Sequence, residues 1–158
     1  MKYQNMNNLD KEFVLYPEAL ALKELGFDEV CFAYYRDGRI TGVNRWDRKD
    51  WEFHVISKKD ITSSTNEIIL APTYSQTFRF FRDKFNCQHY IGKLPKMAIE
   101  AIKRADKYKG NYQWMITCDE SNPPCPPGHS GVIEGYEEAE LLCLQKLIEV
   151  VNKNILNK

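Results

Sequence analysis

The dipeptide Asp37-Gly38 stands between two short runs of alternating side chains and constrains the fold more than any other feature of the chain. A two-residue turn of type I′ needs positive φ at both central positions, and Asp-Gly is one of the few pairs that supply it at little steric cost. Upstream, Val30, Phe32 and Tyr34 alternate with Cys31, Ala33 and Tyr35, so Val30 to Arg36 reads as a strand. Downstream, Arg39 to Val43 returns as its partner. The predicted hairpin, Tyr34 to Val43, commits this part of the chain to antiparallel pairing. Trp51 to Ile56 and Glu67 to Leu70 read as further strands, separated by polar Ser57 to Asn66.

Helix signals flank these strands. Pro17 suits a first helical turn, Ala19, Leu20, Ala21, Leu22 and Leu25 follow, and Gly26 supplies a left-handed cap. After Pro72, Thr73 and Gln76 form a capping-box pattern, and Tyr74, Phe78, Phe81 and Phe85 fall on one face of the helix it opens. Gln88 to Ile91 reads as a short strand. Pro95 opens a third helix, apolar at Ala98, Ala101, Ile102, Ala105 and Tyr108, that stops at Gly110. Tyr112, Trp114, Ile116 and Cys118 alternate as a strand. The proline-rich Ser121 to Gly128 reads as a stiff loop that does not pair in a sheet, and Gly131 to Glu134 as a return to the sheet. Tyr136 to about Asn154 reads as a long helix, apolar at Ala139, Leu142, Cys143, Leu147, Val150 and Val151, with Glu137, Glu138 and Glu140 at its positive end.

The expectation is an α+β fold: an antiparallel or mixed sheet of hairpins with about four helices packed on it. The 158 residues suit one domain, with residues 1–12 as a frayed leader. No apolar signal core, no apolar stretch of about 20 residues and no Asn-x-Ser/Thr site is present. With five irregularly spaced cysteines, this points to a reducing cytoplasm and to no membrane association.

The search for chemistry yields little. The chain has no phosphate-binding loop, no dinucleotide glycine pattern, no His-Glu-x-x-His and no Gly-x-Ser-x-Gly. Cys87, His89, Cys118, Cys125 and His129 carry the atom types of a zinc site, but without paired knuckle spacing, so neither metal nor cofactor is expected. A disulfide between Cys118 and Cys125 is geometrically possible but unstable in a reducing cytosol, so none is expected. His54, with Glu52 on the same strand face, has the make-up of a general base, but a polar residue on a solvated strand face is far commoner and is the expected reading.

The net charge is zero, yet Arg79 to Lys109 holds nine basic and three acidic residues, and Asp119 to Glu149 holds seven acidic residues and one lysine. Within the basic block, Phe80 lies about 100° around the helix from Phe81 and off the aromatic stripe. It is expected to be an exposed aromatic beside Arg79 and Arg82, the make-up of an interface anchor. Arg79, Phe80 and Arg82, together with Lys103, Arg104 and Lys107, are therefore the candidate contact residues. They suit an anionic ligand such as a nucleotide, or the acidic segment of a second copy in a homo-oligomer.

Three stretches, Phe13 to Glu29 (FVLYPEALALKELGFDE), Phe78 to Phe85 (FRFFRDKF) and Tyr136 to Glu149 (YEEAELLCLQKLIE), resemble recurring blocks of small uncharacterised proteins carried by phages and prophages of Bacteroidota. The resemblance implies genetic context and no catalytic residues. It favours a non-enzymatic binding protein that interferes with host defence, by gripping a host protein or sequestering a nucleotide signal. The alternative is a nucleic-acid-binding accessory protein that grips phosphates with Arg79, Arg82, Lys96, Lys103, Arg104 and Lys107. A third reading is a small hydrolase built on His54, His89 or His129.

Overall fold

The computed structural model describes residues 11–41, 56–57, 68–104, 110–118, 128–129 and 132–156. Among them are four α-helices and two antiparallel three-stranded sheets, an α+β fold. The chain divides into two units, Met1–Thr77 and Phe78–Lys158, each with its own sheet.

In the first unit, helix α1 (Tyr16–Glu24) starts with a proline in its first turn, where the missing N–H has no intrahelical partner to lose. It ends in a Schellman motif. Gly26, at φ 81°, lets its own N–H reach Lys23 O at 3.0 Å and the Phe27 N–H reach Leu22 O at 2.9 Å, while Leu22 and Phe27 are both buried. The apolar side of α1 packs on strand β3 (Ile68–Ala71).

Strands β1 (Ala33–Arg36) and β2 (Arg39–Thr41) form the expected hairpin, with Asp37 at φ 51° and Gly38 at φ 71°. Tyr35 pairs with Ile40 and Arg36 with Arg39, and β3 lies on the other side of β1, giving the order β2-β1-β3. The ladder begins at Ala33, later than the expected Val30. Before it, Cys31 makes a lone two-bond bridge to Ile56, and Val30 and Phe32 remain exposed. Gly42, Val43, Trp51 and Glu67 lie outside the described residues. Inside this unit Tyr35 donates its hydroxyl to Val14 O at 2.7 Å, fastening the segment before α1 to the sheet.

Helix α2 (Tyr74–Phe85) begins at the capping box read from the sequence: Gln76 N–H donates to Thr73 Oγ1 at 3.2 Å, and Thr73 N–H to Gln76 Oε1 at 3.1 Å. Tyr74, Phe78 and Phe81 are buried and Phe85 is half-buried.

The second unit takes up α2 from Phe78 onward. Asn86, at φ 53°, turns the chain from that helix directly into strand β4 (Cys87–Lys93), a conformation asparagine tolerates better than most residues. Strand β4 is longer than the sequence suggested and pairs along its whole length with β5 (Tyr112–Cys118); helix α3 (Lys96–Arg104) lies between them in the chain. Strand β6 (Gly128–His129) adds to the far side of β5, and Ile133 bridges Tyr112. Gly128, expected at the end of the loop, is instead paired with Ile116. A glycine just past the prolines brings a free N–H and no side chain, which is enough to join a ladder.

Helix α4 (Tyr136–Leu156) packs on β4 and β5. Its buried stripe is Ala139, Cys143, Leu144, Leu147, Ile148, Val150 and Val151. Leu142, expected in that stripe, is 38% exposed; Leu144 and Ile148 take its place, so the helix is rotated relative to the sequence reading. None of the described helices is long and apolar enough to cross a membrane.

Candidate functional site

The strands of the second unit have a clear two-sided character. One face carries Cys87, His89 and Ile91 opposite Cys118, Ile116 and Trp114, and it packs towards α4. The other carries Gln88, Tyr90 and Gly92 opposite Thr117, Met115 and Gln113. On that second face Tyr90 is 52% exposed and Met115 46% exposed, and the two are directly paired across the ladder. The Tyr90 ring lies over Gly92, where an added Cβ would collide with the ring Cζ and hydroxyl. The absence of a side chain at 92 is what lets the ring lie along the strand. None of the six residues on this face is charged.

The contact site expected on α2 takes a different form. Phe80 is only 6% exposed, which corrects its reading as an exposed anchor. Its ring meets Phe81 edge-on at 5.6 Å and Phe85 edge-on at 5.5 Å, and the Lys84 ammonium sits 5.1 Å above it. The aromatic arc of the helix is therefore wider than the four-residue stripe, and the Lys84 ammonium, over both the Phe80 and Phe85 rings, sits at its margin. Arg79 and Arg82 are exposed, about 100° and 160° around the helix from Phe80, and Arg82 Nε lies 3.3 Å from Asp83 Oδ1. An exposed aromatic flanked by arginines is not what α2 presents. Residues 103 and 104 lie in the last turn of α3; Lys107 lies outside the described residues.

The cysteine and histidine set is partly brought together. Cys87 and Cys118 face each other across the ladder with their sulfurs 2.7 Å apart. His89 is two residues along the same face and stacks on Phe78, ring centroids 3.8 Å apart and 11° from parallel. Burial, with the nearby Arg82 charge as a lesser cause, lowers the His89 pKa and favours the neutral imidazole. His129 registers with Met115, one residue out of phase with Ile116 and Cys118. Glu52, His54 and Cys125 lie outside the described residues. Among the described residues no group of three or more His, Cys, Asp or Glu side chains could hold a metal ion. Cys31 and Cys143 are fully buried, and burial pushes both thiols up to about 12.

A shallow groove of about 380 Å³ runs between α4 and β5, with Trp114, Ile133 and Leu142 along it and Lys146 and Glu149 at its rim. Hydrogen bonds from Lys153 and then Lys146 hold the Glu149 carboxyl down at about 2.

Comparison of the chain with protein-family models, curated proteins and solved structures finds no match.

The Tyr90–Met115 face was missed in the sequence although its signal was there. The alternation that places Trp114, Ile116 and Cys118 on one side of β5 necessarily places Met115 on the other.

Proposed function

We propose that this protein acts by binding, that its partner is another protein, and that the contact is made by the uncharged outer face of β4 and β5. The observation that carries this reading is the directly paired, half-exposed Tyr90 and Met115 on a face without charge. Tyrosine and methionine are enriched at the centre of protein–protein contacts, where charged residues are depleted. A tyrosine ring already resting over a glycine gives up little side-chain freedom on binding and offers both a broad apolar surface and a hydroxyl. Gln88, Gln113 and Thr117 surround the pair with groups that both donate and accept hydrogen bonds. A nucleotide or nucleic-acid ligand would call for cations beside the stacking ring, and the six β4 and β5 residues of this face include neither lysine nor arginine. The basic residues of α2, for their part, have no exposed aromatic with them.

In this reading the resemblance to proteins carried by phages supplies the setting: a bacterial host protein, and a host defence protein foremost, engaged in the host cytoplasm. The test is site-specific photocrosslinking in bacterial cells from position 90, with Ser75 on the exposed side of α2 as control. One bacterial protein should be captured from 90 and not from 75. The purified pair should lose at least about tenfold in affinity with Tyr90→Ala plus Met115→Ala, at unchanged melting temperature. Binding should vary little with salt. Crosslinks to RNA or DNA, binding that falls steeply with salt, or crosslinks only to a second copy of the chain would each overturn the reading.

A further inference from the structure

The cysteine pair at the end of the β4–β5 ladder supports an inference independent of the binding face. We propose that Cys87 and Cys118 form a redox-active dithiol, which small-molecule disulfides close to an intramolecular disulfide and small-molecule thiols reopen.

The geometry is the main argument. The two residues are exact register partners in an antiparallel ladder, 31 residues apart in sequence. Directly opposite residues in such a ladder have Cα atoms about 4.5–5.5 Å apart, inside the ~4.4–6.8 Å window a disulfide needs. Both are thiols in this structure, and their sulfurs, at 2.7 Å, are within about 1 Å of bonding distance. No backbone rearrangement is required. The Cys87 thiol also lies 3.5 Å from Phe85 O, which holds the sulfur at the first position of β4.

Access is the second argument. Cys118, the last residue of β5, is half-buried, whereas Cys87 is almost wholly covered. A small disulfide, RSSR, can therefore reach Cys118 first. The Cys118 thiolate attacks one sulfur of RSSR, forming a Cys118–SR mixed disulfide and releasing RS⁻. Cys87, already against that sulfur, gives up its proton and displaces the second RS⁻ from it, forming the Cys87–Cys118 bond. Two protein sulfurs are oxidised by two electrons in all, RSSR is reduced to two RSH, and the two thiol protons end on the two leaving thiolates. Excess RSH drives the reverse.

The other described cysteines give the contrast. Cys31 and Cys143 are fully covered and have no cysteine opposite them among the described residues, so they remain thiols under the same conditions.

The full-length protein, reduced and then equilibrated across a series of reduced and oxidised glutathione ratios, is quenched with acid, alkylated and mapped by peptide mass spectrometry. The expected result is loss of two alkylatable thiols together, recovered as a single peptide pair joining Cys87 to Cys118, and reversal on adding thiol. Closing this loop should raise the melting temperature of the oxidised form by on the order of 5–10 °C. Cys125→Ser should leave the coupled loss intact, and Cys87→Ser should convert it to a stable glutathione adduct at Cys118. Five alkylated thiols at every ratio, or a bond mapped to Cys118–Cys125, would overturn the proposal. So would a glutathione adduct at Cys118 that persists in the parent protein. The mapping on the parent protein decides the matter even if Cys87→Ser fails to fold.

Discussion

The two sheets have the same number of strands and the same antiparallel pairing, yet strand β3 of the first and the β4–β5 ladder of the second are buried in opposite ways. Strand β3 reads Ile68-Ile69-Leu70-Ala71 and every one of its residues is buried. Strands β4 and β5 alternate, so their outer face keeps Tyr90 and Met115 half in water. A strand covered on both faces reads as a continuous apolar run, and one covered on a single face reads as an alternation. The first sheet thus holds its unit together through a strand whose side chains are all buried. The β4–β5 ladder spends one face on its own core and leaves the other available. The cysteines divide along a similar line: Cys31 is sealed beside the first sheet, whereas Cys87 and Cys118 meet at an end of the second.

The comparison breaks most readily at the aromatic core of α2. Phe81→Ala, at a fully buried ring, should cost about 3–5 kcal/mol in urea unfolding, and Phe80→Ala should approach the same range. A Phe80→Ala protein with parental stability and lost binding would restore Phe80 as an exposed anchor and demote the Tyr90 face.

Next in size is the turn of the first sheet. Gly38→Val should destabilise by about 1–2 kcal/mol, because a β-branched residue at positive φ is strained. Nothing lies within 4 Å of a Cβ at Gly38, so any loss measures the backbone conformation alone and not a collision. A neutral result would mean that the β1–β2 hairpin contributes little to its unit.

The third test concerns pH. The His89 pKa is lowered in the folded protein from an ordinary value of 6.5. Between the lowered and the ordinary value the unfolded chain binds the proton and the folded chain does not, so stability rises with pH through that interval. It is fully present above about 6.5 and is lost as pH falls through the folded value. Melting temperature followed from about pH 8 to about pH 5 should decline below about 6.5, and His89→Phe should remove that share of the decline. An unchanged slope in His89→Phe would show that His89 is solvated and that its stack on Phe78 does not exclude water.

The smallest effects are expected on the open face. Tyr90→Ala plus Met115→Ala, and separately Gly92→Ala, should each change stability by less than about 0.5–1 kcal/mol. At Gly92 the added Cβ would meet the outer end of the Tyr90 side chain, which can swing aside into solvent. Gly92→Ala should therefore weaken partner binding by displacing the ring while the fold is unaffected. A large stability loss in either protein would show this face to be part of the core.

Much of the local structure was legible in the sequence. The Asp37-Gly38 turn, the Thr73–Gln76 capping box, the Gly26 cap and the phase of β5 each depend on residues close together in the chain, and each appears as read. The readings that changed all depended on what lies across the fold. Phe80 was judged against a four-residue stripe, but burial is decided by neighbours, and Phe85 and Lys84 close over it. Leu142 and Leu144 are equally apolar, and only the packing of α4 on β4 and β5 selects which is covered.

The cysteines show the same limit most clearly. From spacing alone, Cys118 and Cys125 were the plausible neighbours, seven residues apart, and Cys87 was one zinc-type residue among several. The sequence by itself determined that β4 and β5 would be strands and which side chains share a face, because a strand's period of two is a local property of the backbone. It did not determine their register, which depends on how α3 and its flanking turns are taken up between them. Tertiary structure alone set Cys87 opposite Cys118 and Tyr90 opposite Met115, because a one-residue slip in that pairing would have separated both pairs while leaving every local signal intact.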